Sequence, residues 1–275
     1  MSLKARVALY AASPLFIADG SHDDKYLLAA QTCQAVLDSA ALQNIHLGNY
    51  TSNWGPSNFM PGNSNNPEMI YARRVDDYSK PESRNFPVGI SSSGAGGNCP
   101  SETLAEAFQT KNGYDVVLTD NGFESQDPTF NPAKPFDNRD PRFAMVFAVN
   151  GEKKWPNVNG NALETFYGGV SGEPKVGGTP TGYYLKKLLD GSLDLSSTGT
   201  KKTSRHSWMT FRLGEIYLDY AEAAFRATGS YTTVPQGCKL TALQAINMIR
   251  GREGVNMPAL PSTMTNDEFW IKYKN

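Results

Sequence analysis

The chain lacks any run of about 18 apolar residues, the length a membrane-crossing helix needs, and this excludes a spanning helix. It also lacks an excess of either charge. Its 26 basic and 27 acidic residues leave a net charge of −1 with no basic patch, so nucleic acid is an unsuitable partner. Histidine is scarce, and His22, His46 and His206 stand without the i, i+4 companion that a helical metal site needs. There are three cysteines: Cys33 falls on an apolar helical face and reads as a small buried hydrophobe, whereas Cys99 and Cys238 lie in loops and their pairing stays open. No G-x-S-x-G, P-loop or H-E-x-x-H motif occurs, so the chain offers no recognisable nucleophile, phosphate cradle, catalytic metal or cofactor site. No signal-peptide pattern opens it; "MSL" runs straight into a helix and reads as an added leader.

The segments that come nearest to such chemistry fall short for identifiable reasons. The Gly-rich stretches "GISSSGAGG" and "GGTPTG" do not join a strand to a helix through a lysine, and read as plain loops. "DGSLDLSS", from Asp190, starts like a calcium loop, but Leu195 takes the obligatory glycine position and Lys201 that of the bidentate glutamate. Asp137 and Asp140 in "FDNRDPRF" read as turn caps. A glycosidase needs two facing carboxylates; any two of 27 acids can meet in space, and nothing in the sequence singles out a pair.

What the chain has is helical periodicity at both ends. Hydrophobic residues make up 39% of its 275 residues, enough for a sizeable core. In "FRLGEIYLDYAEAAFRATGS", residues 211–230, Leu213, Ile216, Tyr217, Tyr220, Ala221 and Ala224 form one apolar stripe. Arg212, Glu215, Asp219, Glu222 and Arg226 fall on the opposite side, and Gly229 is placed to end the helix in a left-handed conformation. Thr241 and Gln244 form a capping box that opens a second stripe, Ala242, Ala245, Ile246 and Ile249, with Gly254 as its stop. Two such helices make a hairpin of the tetratricopeptide kind, and the same spacing also fits any buried helix pair. "LKARVALYAASPLF" predicts a helix ending at Pro14, and Ser21 with Asp24 resembles a capping box ahead of "KYLLAAQTCQAVLDSA".

Between these ends the chain is dense in Gly, Pro, Asn and Ser. "EMIYARRV" and "RFAMVFAV" read as strands and "SETLAEAF" as a short helix. Thr265 and Glu268 form a further capping box in "TNDEFWIKYKN", with Phe269, Trp270 and Tyr273 ready to pack. That helix starts properly and then stops, which reads as a fragment of a longer protein. The expectation is a mainly α chain, a single domain over 1–275. Its helical hairpins span about 3–42 and 207–254 and carry a loop-rich insert of about 43–206 with a few short strands.

The paired segments resemble the SusD/RagB family of outer-membrane lipoproteins. Arg212, Glu215, Tyr217, Leu218, Ala221, Glu222 and Ala223 match its R-L-x-E-x-Y-L-x-x-A-E-A segment, with Gly214 where Ala is more frequent. Asn247, Arg250, Arg252 and Gly254 match the I-N-x-I-R-x-R-x-G segment, with Glu253 in place of Ala. "NNPEMIYARRV", "PSETLAEAF" and "NRDPRFAMVF" also have counterparts in order, whereas the lipid-bearing cysteine, the early helices and the closing segment have none. The resemblance implies a SusD-like fold and a non-catalytic glycan-binding component of a TonB-dependent polysaccharide uptake system. It further implies a SusC-like transporter as partner, a lipid anchor in the outer membrane at the cell surface, and no cofactor.

Sugars are recognised by flat aromatic rings against pyranose faces and by amides, carboxylates or arginines on hydroxyls. On that composition the candidate ligand residues are Tyr50, Asn53, Trp54 and Asn58 in an Asn-rich loop, Arg73 and Tyr78 at a strand, and Trp155 and Tyr167 in a third segment. Each aromatic fits equally well packed beneath its own loop. Two other readings stay open: a helical-repeat protein-binding scaffold without carbohydrate affinity, and a glycoside hydrolase.

Overall fold

Alanine spacing sets how the helices meet in the computed structural model, which describes residues 1–16, 22–49, 66–89, 94–153 and 162–274. The chain divides into two compact units, one of residues 1–49, 65–73 and 209–275, the other of residues 50–64 and 74–208. Among the described residues no helix is long and apolar enough to cross a membrane.

The first unit is built from α1 (Ser2–Ala12), α2 (Asp23–Leu42), α6 (Leu213–Thr228), α7 (Ala242–Arg250) and α8 (Asn266–Lys274). α1 packs on α2, α2 on α6, and α6 on α7, a pair of tetratricopeptide-like helical hairpins. The contact faces include the two expected stripes, with Ile216, Tyr220, Ala221 and Ala224 on α6 and Ala242, Ala245 and Ile246 on α7, and add Ala5, Leu9 and Ala12 on α1 and Ala29, Ala30, Cys33, Val36 and Leu37 on α2. Small side chains let the backbones approach closely, and a fully buried Ile216 contributes roughly 1.5–3 kcal/mol. The α7 capping box is present, with Thr241 Oγ1 accepting from Gln244 N (3.0 Å) and Gln244 Oε1 from Thr241 N (2.8 Å). Thr265 and Glu268 open α8 in the same way, through Glu268 N (3.2 Å) and Thr265 N (2.7 Å). α8 buries Phe269 in a stack on Tyr231 (4.8 Å), while Trp270 stacks on Phe225 (5.5 Å) and Tyr273 (5.0 Å).

Several boundaries differ from expectation. Phe211 and Arg212 belong to a strand, and the helix begins at Leu213 because Glu68, not a residue of its own segment, caps it. Glu68 is fully buried; its carbonyl accepts from Leu213 N (2.9 Å) and its carboxylate from Gly214 N (3.3 Å), Gly48 N (3.1 Å), Arg212 Nη1 (3.4 Å) and Arg252 Nη1. A carboxylate at a helix N-terminus is favoured by the aligned peptide dipoles. Gly214 leaves it room, since an added methyl would lie 2.7 Å from Arg212 Nη1 and 3.0 Å from Glu68 Oε2. The N-cap of α2 is His22, and Ser21 of the expected Ser21–Asp24 box lies outside the described residues. α7 ends at Arg250, before Gly254, because Arg250 O accepts from Met257 N (2.9 Å) as the chain turns back.

The polar side of α6 is partly covered by other helices. Glu215 pairs with Arg6 of α1 (2.7 Å) and Glu222 accepts from Tyr273 of α8 (3.0 Å). Between them Asp219 keeps one carboxylate oxygen buried without a partner, and burial, then the Glu215 charge, pushes its pKa up to about 7.

The second unit has little regular structure. Its elements are α3 (Lys80–Asn85), α4 (Glu102–Glu106), the antiparallel hairpin β2 (Val116–Thr119) and β3 (Gly122–Ser125), α5 (Phe143–Val146), and β4 (Phe147–Ala148) paired with β5 (Tyr184–Leu185). β1 (Met69–Tyr78) and β6 (Ser204–Arg212) pair in a two-stranded sheet, and the chain passes from one unit to the other along each. "RFAMVFAV", expected as a strand, is a helical turn with only Phe147 and Ala148 extended. Asp140 causes this: its carboxylate accepts from Arg142 N (2.9 Å) and its carbonyl from Phe143 N (2.8 Å), winding the chain. Phe143 and Phe147, four residues apart, then stack at 4.6 Å inside a core completed by Phe108, Phe136 and Tyr183.

The calcium-like segment is occupied by a lysine. Asp190 accepts from Ser192 N (3.0 Å) and from Lys201 Nζ (3.0 Å), so the residue in the glutamate position brings an ammonium to the carboxylate. Burial alone would raise the Asp190 pKa, but Ser192 and Lys201 bring it below the usual carboxylate range. All three cysteines are free thiols, with Cys33 fully buried.

Candidate functional site

The most exposed aromatic pair among the described residues lies on a glycine-rich turn of the second unit. "ETFYGGVSGEPKVGGT", residues 164–179, folds back on itself through backbone bonds. Gly169 N donates to Phe166 O (2.9 Å), Ser171 N to Glu164 O (3.1 Å), Gly168 N to Glu173 O (2.6 Å), and Thr179 N to Ser171 O (3.2 Å). In the Phe166–Gly169 turn the third position carries φ +88°, which a glycine adopts at no steric cost. Gly172 is needed for a second reason, since a methyl there would sit 2.2 Å from Phe166 O. The second position of the turn is Tyr167, which points outward at 80% exposure, with Phe166 beside it at 57%.

The turn rests on a fixed base. Fully buried Tyr184 has its hydroxyl 2.6 Å from Ser171 O and 3.2 Å from Gly177 O, and burial pushes its pKa to about 12, keeping it a donor. Beneath it Phe86, Val88, Leu163, Leu189 and Leu193 form an apolar cluster. The Glu164 carboxylate accepts from Val170 N (3.2 Å), and Asn150 Oδ1 accepts from Thr165 N (3.1 Å). The backbone under Phe166 and Tyr167 is therefore set before any ligand arrives. Two rings held in place cost little ordering entropy when a flat apolar surface is laid on them.

The remaining sequence-derived candidates fall elsewhere. Tyr50, Asn53, Trp54, Asn58 and Trp155 lie outside the described residues. Arg73 is exposed on β1, in the first unit. Tyr78, at the end of β1, is half-buried and meets the His206 ring edge-on at 5.5 Å. Arg73, Tyr78 and Tyr167 form no hydrogen bond, ion pair or ring contact with one another. Phe166 was not singled out from the sequence, although its signal is present: an aromatic doublet directly before a Gly-Gly pair. Exposed Val170 and Val176 on the same loop carry no sequence signal.

The acids of this unit are largely engaged in structure. Buried Asp127 accepts from Thr110 (2.6 Å), Asn112 (3.1 Å) and Thr129 (2.8 Å), and these bonds hold its pKa at about 2. Asp140 pairs with Arg142, and Glu102 accepts from Tyr183 Oη (2.7 Å), its pKa raised by burial. Among the described residues no group of three or more His, Cys, Asp or Glu side chains has metal-binding geometry.

The chain is similar to several solved structures. A SusD-like protein from Bacteroides fragilis matches over 99% of this chain and 50% of its own, at 21% identity and a TM-score of 0.70. A SusD-like carbohydrate binding protein from the same organism matches over 96% and 50%, at 18% identity and a TM-score of 0.62. A SusD superfamily protein from Parabacteroides distasonis matches over 99% and 49%, at 18% identity and a TM-score of 0.54. The chain thus spans about half the length of the solved structures it matches, and at these identities the likeness is one of fold. None of the curated proteins matches it. The family model described as the SusD family fits residues 42–272, and this chain belongs to that family.

Proposed function

We propose that the chain is a non-catalytic glycan-binding component of a TonB-dependent polysaccharide uptake system, with Phe166 and Tyr167 as a sugar-facing surface. The observation that carries this reading is a hydrogen-bonded turn that holds Tyr167 80% exposed in a family whose fold the chain shares. A similar structure from Bacteroides fragilis is described as a carbohydrate binding protein, which supports the same class of ligand. An exposed ring stacks on the apolar face of a pyranose, and bonds to a few hydroxyls then set orientation. In an open site this gives weak affinity, on the order of 10⁻⁶ to 10⁻³ M, or about −8 to −4 kcal/mol. By family membership, the complete protein is lipid-anchored at the outer-membrane surface beside a SusC-like transporter, and takes an oligosaccharide or polysaccharide.

The proposal of no catalysis rests on the acids described above, whose partners are Thr, Asn, Arg, Lys and Tyr side chains rather than a facing carboxylate. Reproducible reducing-sugar release that disappears on substitution of a single Asp or Glu contradicts it. A second reading, a protein-binding helical scaffold, is favoured by the outer face of α1, where Leu3, Val7 and Tyr10 stand exposed at helical spacing. A glycan array probed with the full-length protein separates the two. Saturable binding to a defined glycan supports the first, and uniformly blank spots together with capture of a purified transporter support the second.

A further inference from the structure

Both ring nitrogens of fully buried His206 face hydrogen-bond acceptors. Nδ1 lies 3.1 Å from Ser204 O, and Nε2 lies 2.8 Å from Oε1 of the equally buried Glu82. A carbonyl oxygen only accepts, so Nδ1 carries a hydrogen. A neutral imidazole has one N–H, and the short Nε2–Oε1 contact therefore requires a further proton. Oε1 already accepts from Asp190 N (2.8 Å), and Oε2 is buried without a partner. We propose that one proton held between His206 Nε2 and Glu82 Oε1 is a lock that ties α3, the Asp190 segment and β6 together, and that alkaline pH opens it.

The surroundings make this proton hard to replace. The His206 ring is fully buried, stacks on Trp208 of its own strand (5.9 Å, 18°) and meets the Tyr78 edge from β1 (5.5 Å). The charged groups near the ring are Glu82 from α3 and Asp190 from the following segment, the latter balanced by Lys201 at 3.0 Å. Without the proton a buried carboxylate oxygen faces an imidazole lone pair, an uncompensated arrangement that a dry interior disfavours strongly. Burial pulls the His206 pKa down, but the bond to Glu82, its charge and the Ser204 carbonyl outweigh it and leave the value above 6.5. A group raised in the folded state contributes fully below its ordinary value and loses that contribution as pH rises through the raised one. α3 runs directly into Val88 and Gly89, against which Gly177 and Val170 of the aromatic turn pack, so opening the lock also loosens the base of that turn.

The test is a histidine ¹⁵N NMR titration, with His206 assigned by its loss in His206→Gln, combined with melting and hydrogen exchange between pH 6 and 9. The expected result is a His206 midpoint above 6.5, with Tm falling and exchange in residues 80–89 and 164–178 rising as pH passes through it. Glu82→Gln preserves shape but removes the carboxylate charge that favours the proton on Nε2, and its amide oxygen can still accept from Asp190 N. In that variant the midpoint drops at least tenfold in proton affinity and the alkaline fall in Tm disappears. A wild-type midpoint at or below 6.5, or an equal alkaline fall in Glu82→Gln, overturns the lock; if that variant does not fold, the wild-type titration decides alone.

Discussion

The two units reach order by different routes. In the first, helix meets helix over alanine stripes, and most backbone polar groups are satisfied within a few residues of themselves. In the second, the elements it wholly contains are two to six residues long, and the chain is held by bonds that span large sequence distances, such as Asp190 N to Glu82 and Tyr183 Oη to Glu102. Under the proposed function the contrast is a division of labour. Stacked helices make a stiff wall from local rules, whereas a ligand-binding turn needs backbone shapes that no repeating element provides.

The sharpest way to break the first unit is to remove its fully buried carboxylate, Glu68. Glu68→Ala leaves Arg252 buried without this carboxylate and Gly214 N without its side-chain cap, and should cost about 3–5 kcal/mol, read as a large drop in denaturation midpoint. A loss of under about 1 kcal/mol would mean that the helix stripes alone hold the unit.

Asp219 supplies a smaller effect in the opposite direction. Its raised pKa means the folded state prefers the protonated form, so stability declines as pH rises from the ordinary 3.8 to about 7 and is level above that. Asp219→Asn should remove that decline and stabilise the protein at pH 8 by about 1–3 kcal/mol, discounted for partial exposure, in a melting series from pH 4 to 8. An unchanged pH profile would place the proton elsewhere.

In the second unit the expected effects on stability are smaller still. Tyr184→Phe removes one buried hydroxyl bond while Thr179 N still serves Ser171 O, for a cost of about 1 kcal/mol. Because the turn then loses its anchor, glycan retention should fall by more than the melting temperature suggests. Equal proportional losses would show that the turn is not preorganised by Tyr184.

How much of this was legible in the sequence follows the same division. The capping boxes at Thr241 and Thr265, the left-handed Gly229 (φ 64°) and the hairpin stripes were readable, because each is a rule spanning four to eight residues. The start of α6 was not, since its cap is Glu68, far away in the chain. Nor was the partial cover over the polar face of α6, where Arg6 and Tyr273 arrive from other helices. The strand expected at "RFAMVFAV" failed because one aspartate outweighed the β-propensity of the residues that follow it. His206 looked isolated along the chain, and Glu82 is its partner only in three dimensions. Of the ligand candidates, Tyr167 was singled out only by composition, as an aromatic in a segment that also carries amides; its exposure, and that of Phe166, depends on the turn.

The central claim, that the fixed turn presents Tyr167 to a sugar, is tested most directly by Tyr167→Ala in the full-length protein, measured for both melting and glycan-gel retardation. An exposed ring contributes little to the core, so the predicted melting temperature is unchanged within about 0.5 kcal/mol of stability while most retardation is lost. Retardation equal to wild type, or its loss only in step with unfolding, contradicts the account.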